Sequence, residues 1–236
     1  DRVNPIGGTE VEGPVALDEE KFTATHPIAI RHGMTVGELA RMMNTERRIG
    51  AKLEVVEIDG WRRSRRFDRT GLPWVDPSPN IRKLDAALLY PGIGLLEFAI
   101  SVGRGTEAPF ELLGAPYVDG AALAAELWKA RPAGVEIAPV TFTPAASVFE
   151  GQRCGGLRLR VTNPDKLRPV ALGIQIAAAI VRLHPGKLDF EKMNTLLSHT
   201  KAWQALKNGA SAGVIEETWK DEVRSFESRR RPFLLY

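Results

Sequence analysis

Apolar residues along the chain fall into two spacings. In "TVGELARMMNTE", Val36, Leu39, Ala40 and Met43 recur at helical intervals, while Thr35 as N-cap and Glu38 three residues on form a capping box. This spacing predicts a helix that buries those four residues. "KLEVVEIDGW" (52–61) is rich in β-branched residues and ends in Asp-Gly, which predicts a strand running into a turn. "DGAALAAELWKARPAG" (119–134) predicts a helix capped by Asp119 and closed by Pro-Ala-Gly. "VEIAPVTFTPAASVF" and "GGLRLRVTN" read as two strands that pair. From 164 onward the period is helical, in four segments each closed by Gly, Pro or a polar break, and the terminal "RPFLLY" is expected to dock on the body.

The stretches between these elements are punctuated. "IRKLDAALLYPGIGLLEFA" predicts a short helix broken at Tyr-Pro-Gly, and "TGLPWVDPSPNI" (70–81) is a loop stiffened by three prolines. Residues 1–30 hold Gly and Pro without a period and read as an extended connecting segment, leaving 31–236 as one domain. The sum is an α+β fold: a mixed sheet with flanking helices and a helix-rich C-terminal third.

At 236 residues and 44% apolar composition the chain can bury a sizeable core. The net charge is +3, but "WRRSRRFDR" (61–69) and "ESRRRP" (227–232) concentrate it. With no recognition helix or aromatic platform beside them, these runs read first as solvated surface, next as a rim for an anionic substrate, and last as a nucleic-acid contact. Cys154 is the single cysteine, so no internal disulfide and no cysteine zinc site is expected, and its flanks suit a buried, inert thiol. His26, His32, His184 and His199 have no metal-ligand spacing, and no phosphate-binding, nucleophile-elbow or dinucleotide fingerprint occurs, so neither metal nor cofactor is expected. No apolar run reaches about eighteen residues, which argues against a membrane span. The opening "DRVNPIGGTEVEGP" lacks both an initiating Met and a signal-peptide pattern, as in a mature form or a fragment.

Candidate chemistry centres on "ISVGRGTEAPFELLGAPYVDG" (100–120). Gly103 and Gly105 flank Arg104 with backbone that tolerates positive φ and close approach of a ligand. The guanidinium could hold a carboxylate in bidentate fashion, or it could bond loop carbonyls and fix the turn. Of the acids near probable loops (Glu46, Asp68, Asp76, Glu97, Glu107, Glu111), Glu97 stands apart because "GLLEFAI" embeds it in an apolar run. A buried carboxyl suits acid–base chemistry, and a salt bridge to Arg104 explains it equally well. His32 in "IRHGMT" sits beside Arg31 and a glycine just before a helix start, either as a ligand-facing or as a structural histidine.

The motifs "DRVNPIGG", "VEGP", "RHGMTVGELA", "IGAKLEVVEIDGW", "FDRTGLPWVDPSPN", "LLYPG", "SVGRGTEAPFELLGAPYVDG" and "RPFLLY", in that order, closely resemble the exo-β-N-acetylmuramidase (NamZ-like) family, nearly end to end. The resemblance implies a two-part protein: a Rossmann-like N-terminal domain, then a region that begins near an Asp-Arg-Pro-Asn-Pro segment, with the active cleft between them. This chain starts at that segment, with Val3 in place of the usual proline. The Ser-Pro-Glu-His-Gly stretch that carries a leading catalytic glutamate in relatives has no counterpart in it. The implied activity is hydrolysis of non-reducing-end N-acetylmuramic acid from peptidoglycan fragments, outside the cytoplasm, with the upstream domain as partner; the alternative is a non-catalytic muropeptide-binding module. The lactyl carboxylate of N-acetylmuramic acid then becomes the natural anion for Arg104, with Thr106 as second donor. His32, Asn80, Trp61 and Tyr90 are the expected substrate rim, and Glu97 is the catalytic candidate within the chain.

Overall fold

The computed structural model describes residues 1–16 and 21–236. Where the sequence predicts only an extended connecting segment, β1 (Glu12–Val15) and β2 (Ala29–Arg31) pair antiparallel, Glu12 opposite Arg31. The helix α1 (Val36–Glu46) follows, and its capping box forms as expected: Thr35 Oγ1 accepts from Glu38 N, and the Glu38 carboxylate accepts from Thr35 N. Its buried face differs from the predicted one. Val36 is exposed, Leu39, Ala40 and Met43 are half-buried, and Gly37, Glu38 and Met42 face inward. Met42 packs with Val15, Ala29, Met34 and Phe226 into a small core of its own. The tail of the chain rotates the helix this way, because Glu38 Oε1 accepts from Leu235 N (2.8 Å) and Arg41 Nη1 donates to Phe233 O (3.3 Å). The terminal segment docks as the sequence suggests.

Residues 51–58 form no strand. Alternation shapes a segment for a sheet, but a ladder needs a neighbour, and among the described residues the segment has only scattered bonds, such as the one Ile58 N donates to Tyr236 Oη (2.9 Å). The helix α2 (Leu84–Ile93) also differs from expectation, since it runs through Pro91 instead of breaking there. Proline removes a helix bond, and packing compensates: most of α2 is buried, and it lies against α4 (Pro169–Leu183) at backbone distance. A Cβ built on Gly92 would sit 1.7 Å from the Pro169 carbonyl oxygen, so only glycine fits that crossing.

A three-stranded sheet completes the body: β3 (Leu112–Ala115), β4 (Val135–Phe142) and β5 (Cys154–Val161), in the order β3-β5-β4. The predicted pairing of the last two holds over eight residues. The sheet is antiparallel throughout rather than mixed: β4 returns into β5 as a neighbouring antiparallel strand through residues 143–153, and β3 pairs antiparallel on the other edge of β5. The helix α3 (Gly120–Ala130) is capped by Asp119, which accepts from Ala121 N and Ala122 N. The helix-rich C-terminal third is α4, α5 (Phe190–Leu197), α6 (Thr200–Lys207), α7 (Ala212–Glu217) and α8 (Lys220–Arg230). The α4 helix is buried over most of its length and forms the spine of the main core between α2, α3 and the C-terminal helices. No described helix is long and apolar enough to cross a membrane.

Candidate functional site

Both basic runs turn inward at one turn of the chain. Arg63 Nη1 donates to Gly33 O (2.6 Å) and its Nε to Tyr236 O (3.1 Å), while its Nη2 reaches Glu38. Arg230 Nη1 donates to His32 O (2.9 Å) and Gly33 O (3.0 Å), and its Nη2 to Thr9 O (3.1 Å). These clusters are therefore only partly solvated surface, because two of their guanidinium groups are internal struts. The buried Glu38 carboxylate offsets the charge, as a buried guanidinium requires.

The strutted turn presents His32. Its Nδ1 accepts from Met34 N (3.1 Å), so the neutral ring carries its proton on Nε2. Burial, and then the nearby Arg230 guanidinium, lowers the imidazole from 6.5 to about 4. The ring is thus a neutral Nε2–H donor at neutral pH. It lines a half-open, largely apolar cleft of about 510 Å³, within the usual size of a small-molecule site. Arg31 and His32 lie on one wall, Ala87, Tyr90 and Pro91 of α2 on another, and Leu196 and Leu197 close one side. Tyr90 is T-packed on Phe110 (4.9 Å), and its phenol is pushed up by burial and then by Glu97. Among the described residues lining the cleft there is no carboxylate.

The other sequence candidates lie elsewhere. Arg104 Nη2 donates to Glu97 Oε2 (2.7 Å), and its guanidinium carbon lies 5.7 Å from the Phe110 ring centroid. Glu97 thus stands in the salt bridge to Arg104, and neither residue lines the cleft. Gly103 and Gly105 do adopt positive φ, but their open faces meet Leu112 and Ala145, so they serve the packing of the loop. Thr106 Oγ1 donates to Gly103 O (2.6 Å) and accepts from Ala108 N, so it locks the turn. Asn80 is half-buried in a turn closed by Ser78 and does not itself line the cleft, although Pro77 and Ile81 on either side of it do. Trp61 is buried, donates Nε1–H to Arg65 O (3.0 Å) and stacks edge-on against Tyr236 (5.1 Å), which makes it a core residue rather than rim. Cys154 is buried and free, its thiol pushed up by burial. Of the seven predicted residues, His32 and Tyr90 meet in one cleft, and Arg104 and Glu97 meet in one ion pair. Arg31 and His26 are cleft residues that sequence reasoning passed over as site candidates, although Arg31 stands next to His32 in the same motif.

Fold and cleft together define an α+β protein with a half-open, largely apolar cleft of small-molecule size. Residues 1–85 match the family model described as exo-beta-N-acetylmuramidase NamZ, N-terminal, and residues 88–236 the one described as exo-beta-N-acetylmuramidase NamZ, C-terminal; the chain belongs to this family. The two models meet near the start of α2. A peptidoglycan beta-N-acetylmuramidase NamZ from Bacillus subtilis (strain 168) is 38% identical over 243 residues, covering 100% of this chain and 58% of the relative. Crystal structures of two DUF1343 family proteins from Bacteroides fragilis superimpose with TM-scores of 0.90 and 0.79 at 27% and 28% identity, each covering 100% of this chain and 65% of the other. The chain therefore spans about three-fifths of the length of these relatives.

Proposed function

We propose that this protein is a glycoside hydrolase of the exo-β-N-acetylmuramidase type, in which these 236 residues hold a non-reducing-end N-acetylmuramic acid of a peptidoglycan fragment. The observation that carries this reading is that His32 and Tyr90 line one cleft, in a chain of this family. An aromatic ring covers the apolar face of a pyranose, and a neutral imidazole N–H suits a hydroxyl or an acetamido carbonyl. The cleft volume is of the order a sugar needs.

Glycosidases generally flank the scissile bond with two carboxyl groups. The described lining of this cleft offers none, and Glu97 is engaged by Arg104. In our reading the chain therefore reads the substrate, and the catalytic carboxyl comes from a Rossmann-like part of the full-length protein that closes over the cleft. The same observation favours a second reading, a muropeptide-binding module without activity of its own. A chromogenic N-acetylmuramic acid glycoside, offered to these 236 residues and to a family-length chain, decides between them. Release by the longer chain alone supports the split site, and release by neither, with binding retained, supports the module. Failure to bind or cleave in both refutes the proposal.

A further inference from the structure

We propose that Arg31, not Arg104, is the carboxylate-reading group of this protein, and that the cleft beside His32 is an anion site for a carboxylate borne by a small ligand. Arg31 ends β2, lines the cleft, and is 8% exposed. A guanidinium so buried normally spends its five N–H groups on acceptors. Arg31 makes no side-chain hydrogen bond to any described residue, and its Nε is buried without a partner. Its nearest carboxylate, Glu12 Oε2, stands 3.8 Å from Nη1, too far for a hydrogen bond.

Glu12 is committed elsewhere. Its Oε1 accepts from Ala171 N (2.8 Å) in the first turn of α4, and its Oε2 is left without a hydrogen bond. The two groups balance in charge without satisfying each other, which leaves Arg31 its fork of donors. Arg104 is the contrast. It already holds a carboxylate at 2.7 Å, it stacks on Phe110, and it does not line the cleft. A ligand carboxylate at Arg31 would supply the missing acceptors in the bidentate geometry this side chain favours, with the neutral His32 Nε2–H next to it in sequence. That the carboxylate is the lactyl group of a muramic sugar rests on the function proposed above; the carboxylate site itself does not.

The test is nitrogen-15 NMR of the arginine Nε–H signals of the 236-residue protein, with Arg31 assigned by loss of its peak in Arg31→Lys. The protein is titrated with N-acetylmuramic acid, D-lactate and N-acetylglucosamine. Saturable movement of the Arg31 signal with both carboxylates and not with N-acetylglucosamine is the expected result, together with a loss of at least about tenfold in muramic-acid affinity in Arg31→Gln and none in Arg104→Gln. Movement with D-lactate alone upholds the carboxylate site and removes the muramic sugar as its source. If N-acetylmuramic acid shifts other signals while Arg31 stays still, the sugar-binding reading survives and the Arg31 assignment is overturned. An Arg31 signal that answers neither carboxylate overturns it as well. The wild-type titration needs no variant to fold, so a collapsed Arg31→Gln protein leaves the question decidable.

Discussion

Arg63 and Arg230, far apart in the chain, both donate to the carbonyl oxygen of Gly33, at 2.6 and 3.0 Å. One carbonyl thus ties the loop after α1 to the end of α8, and the turn it fixes is the one that aims His32 at the cleft. The cost of bringing two guanidinium groups together is offset by Glu38, fully buried beneath them. Replacing Arg230 by Met should cost about 3 kcal/mol, because it strands several buried carbonyls at once. Urea denaturation measures it, and a loss within a few tenths of a kcal/mol of zero would show the struts to be dispensable.

The same arrangement fixes a pH dependence. His32 has its folded value lowered to about 4, so between 6.5 and 4 the unfolded state binds the proton more readily. Stability from this group is therefore full above about pH 6.5, falls as the pH drops toward 4, and levels off below. His32→Asn keeps an acceptor for Met34 N without the titration. The melting temperature of the wild type should fall more steeply than that of His32→Asn across this window. Parallel profiles would mean that the ring titrates normally.

The Gly92 crossing makes a purely structural prediction. A methyl group at Gly92 meets the Pro169 carbonyl at 1.7 Å, and one at Gly173 meets the Gly92 carbonyl at 2.4 Å. Gly92→Ala should cost about 3 kcal/mol or prevent folding, since neither α2 nor α4 can move without opening the main core. The double variant should lose less than the sum of the singles, because the first methyl already separates the helices. Chemical denaturation of the four proteins in the cycle reads both effects.

How much of this was legible in the sequence follows from what each signal depends on. The caps at Thr35 and Asp119 act within a single turn, so local residues settle them, and both form. The β4–β5 pair also follows, since its two strands are neighbours in the chain. The strand predicted at 52–61 and the break predicted at Pro91 fail because each is decided by distant residues: a ladder neighbour in one case, α4 in the other. Val36 fails for a similar reason, as the tail docking on Glu38 and Arg41 chooses the buried face of α1. In the candidate site, motif membership brought out His32 and Tyr90. It also brought out Arg104, whose glycine flanks signal positive φ without saying that Glu97 holds the guanidinium or that Leu112 and Ala145 face the open sides. Arg31 was hidden because its distinguishing property is a missing hydrogen bond, which only a folded neighbourhood can reveal.

Arg104 and Glu97 supply the last prediction, which separates structure from recognition. Arg104 is about one-third exposed and Glu97 is nearly buried, so the pair is only partly screened by solvent. Arg104→Ala leaves the Glu97 carboxylate without its donor and should destabilise the protein by about 1–2 kcal/mol. Glu97→Gln, which frees the guanidinium, should cost less, and the two together should show a coupling of about 1 kcal/mol in a double-mutant cycle. Neither change should alter the preference for N-acetylmuramic acid over N-acetylglucosamine, measured by calorimetry on the folded variants. Tyr90→Ala should instead weaken both sugars alike by about 1 kcal/mol, because it removes the ring face rather than a charge. A preference that disappears in Arg104→Ala would return the carboxylate to the glycine-flanked loop and leave Arg31 a structural arginine.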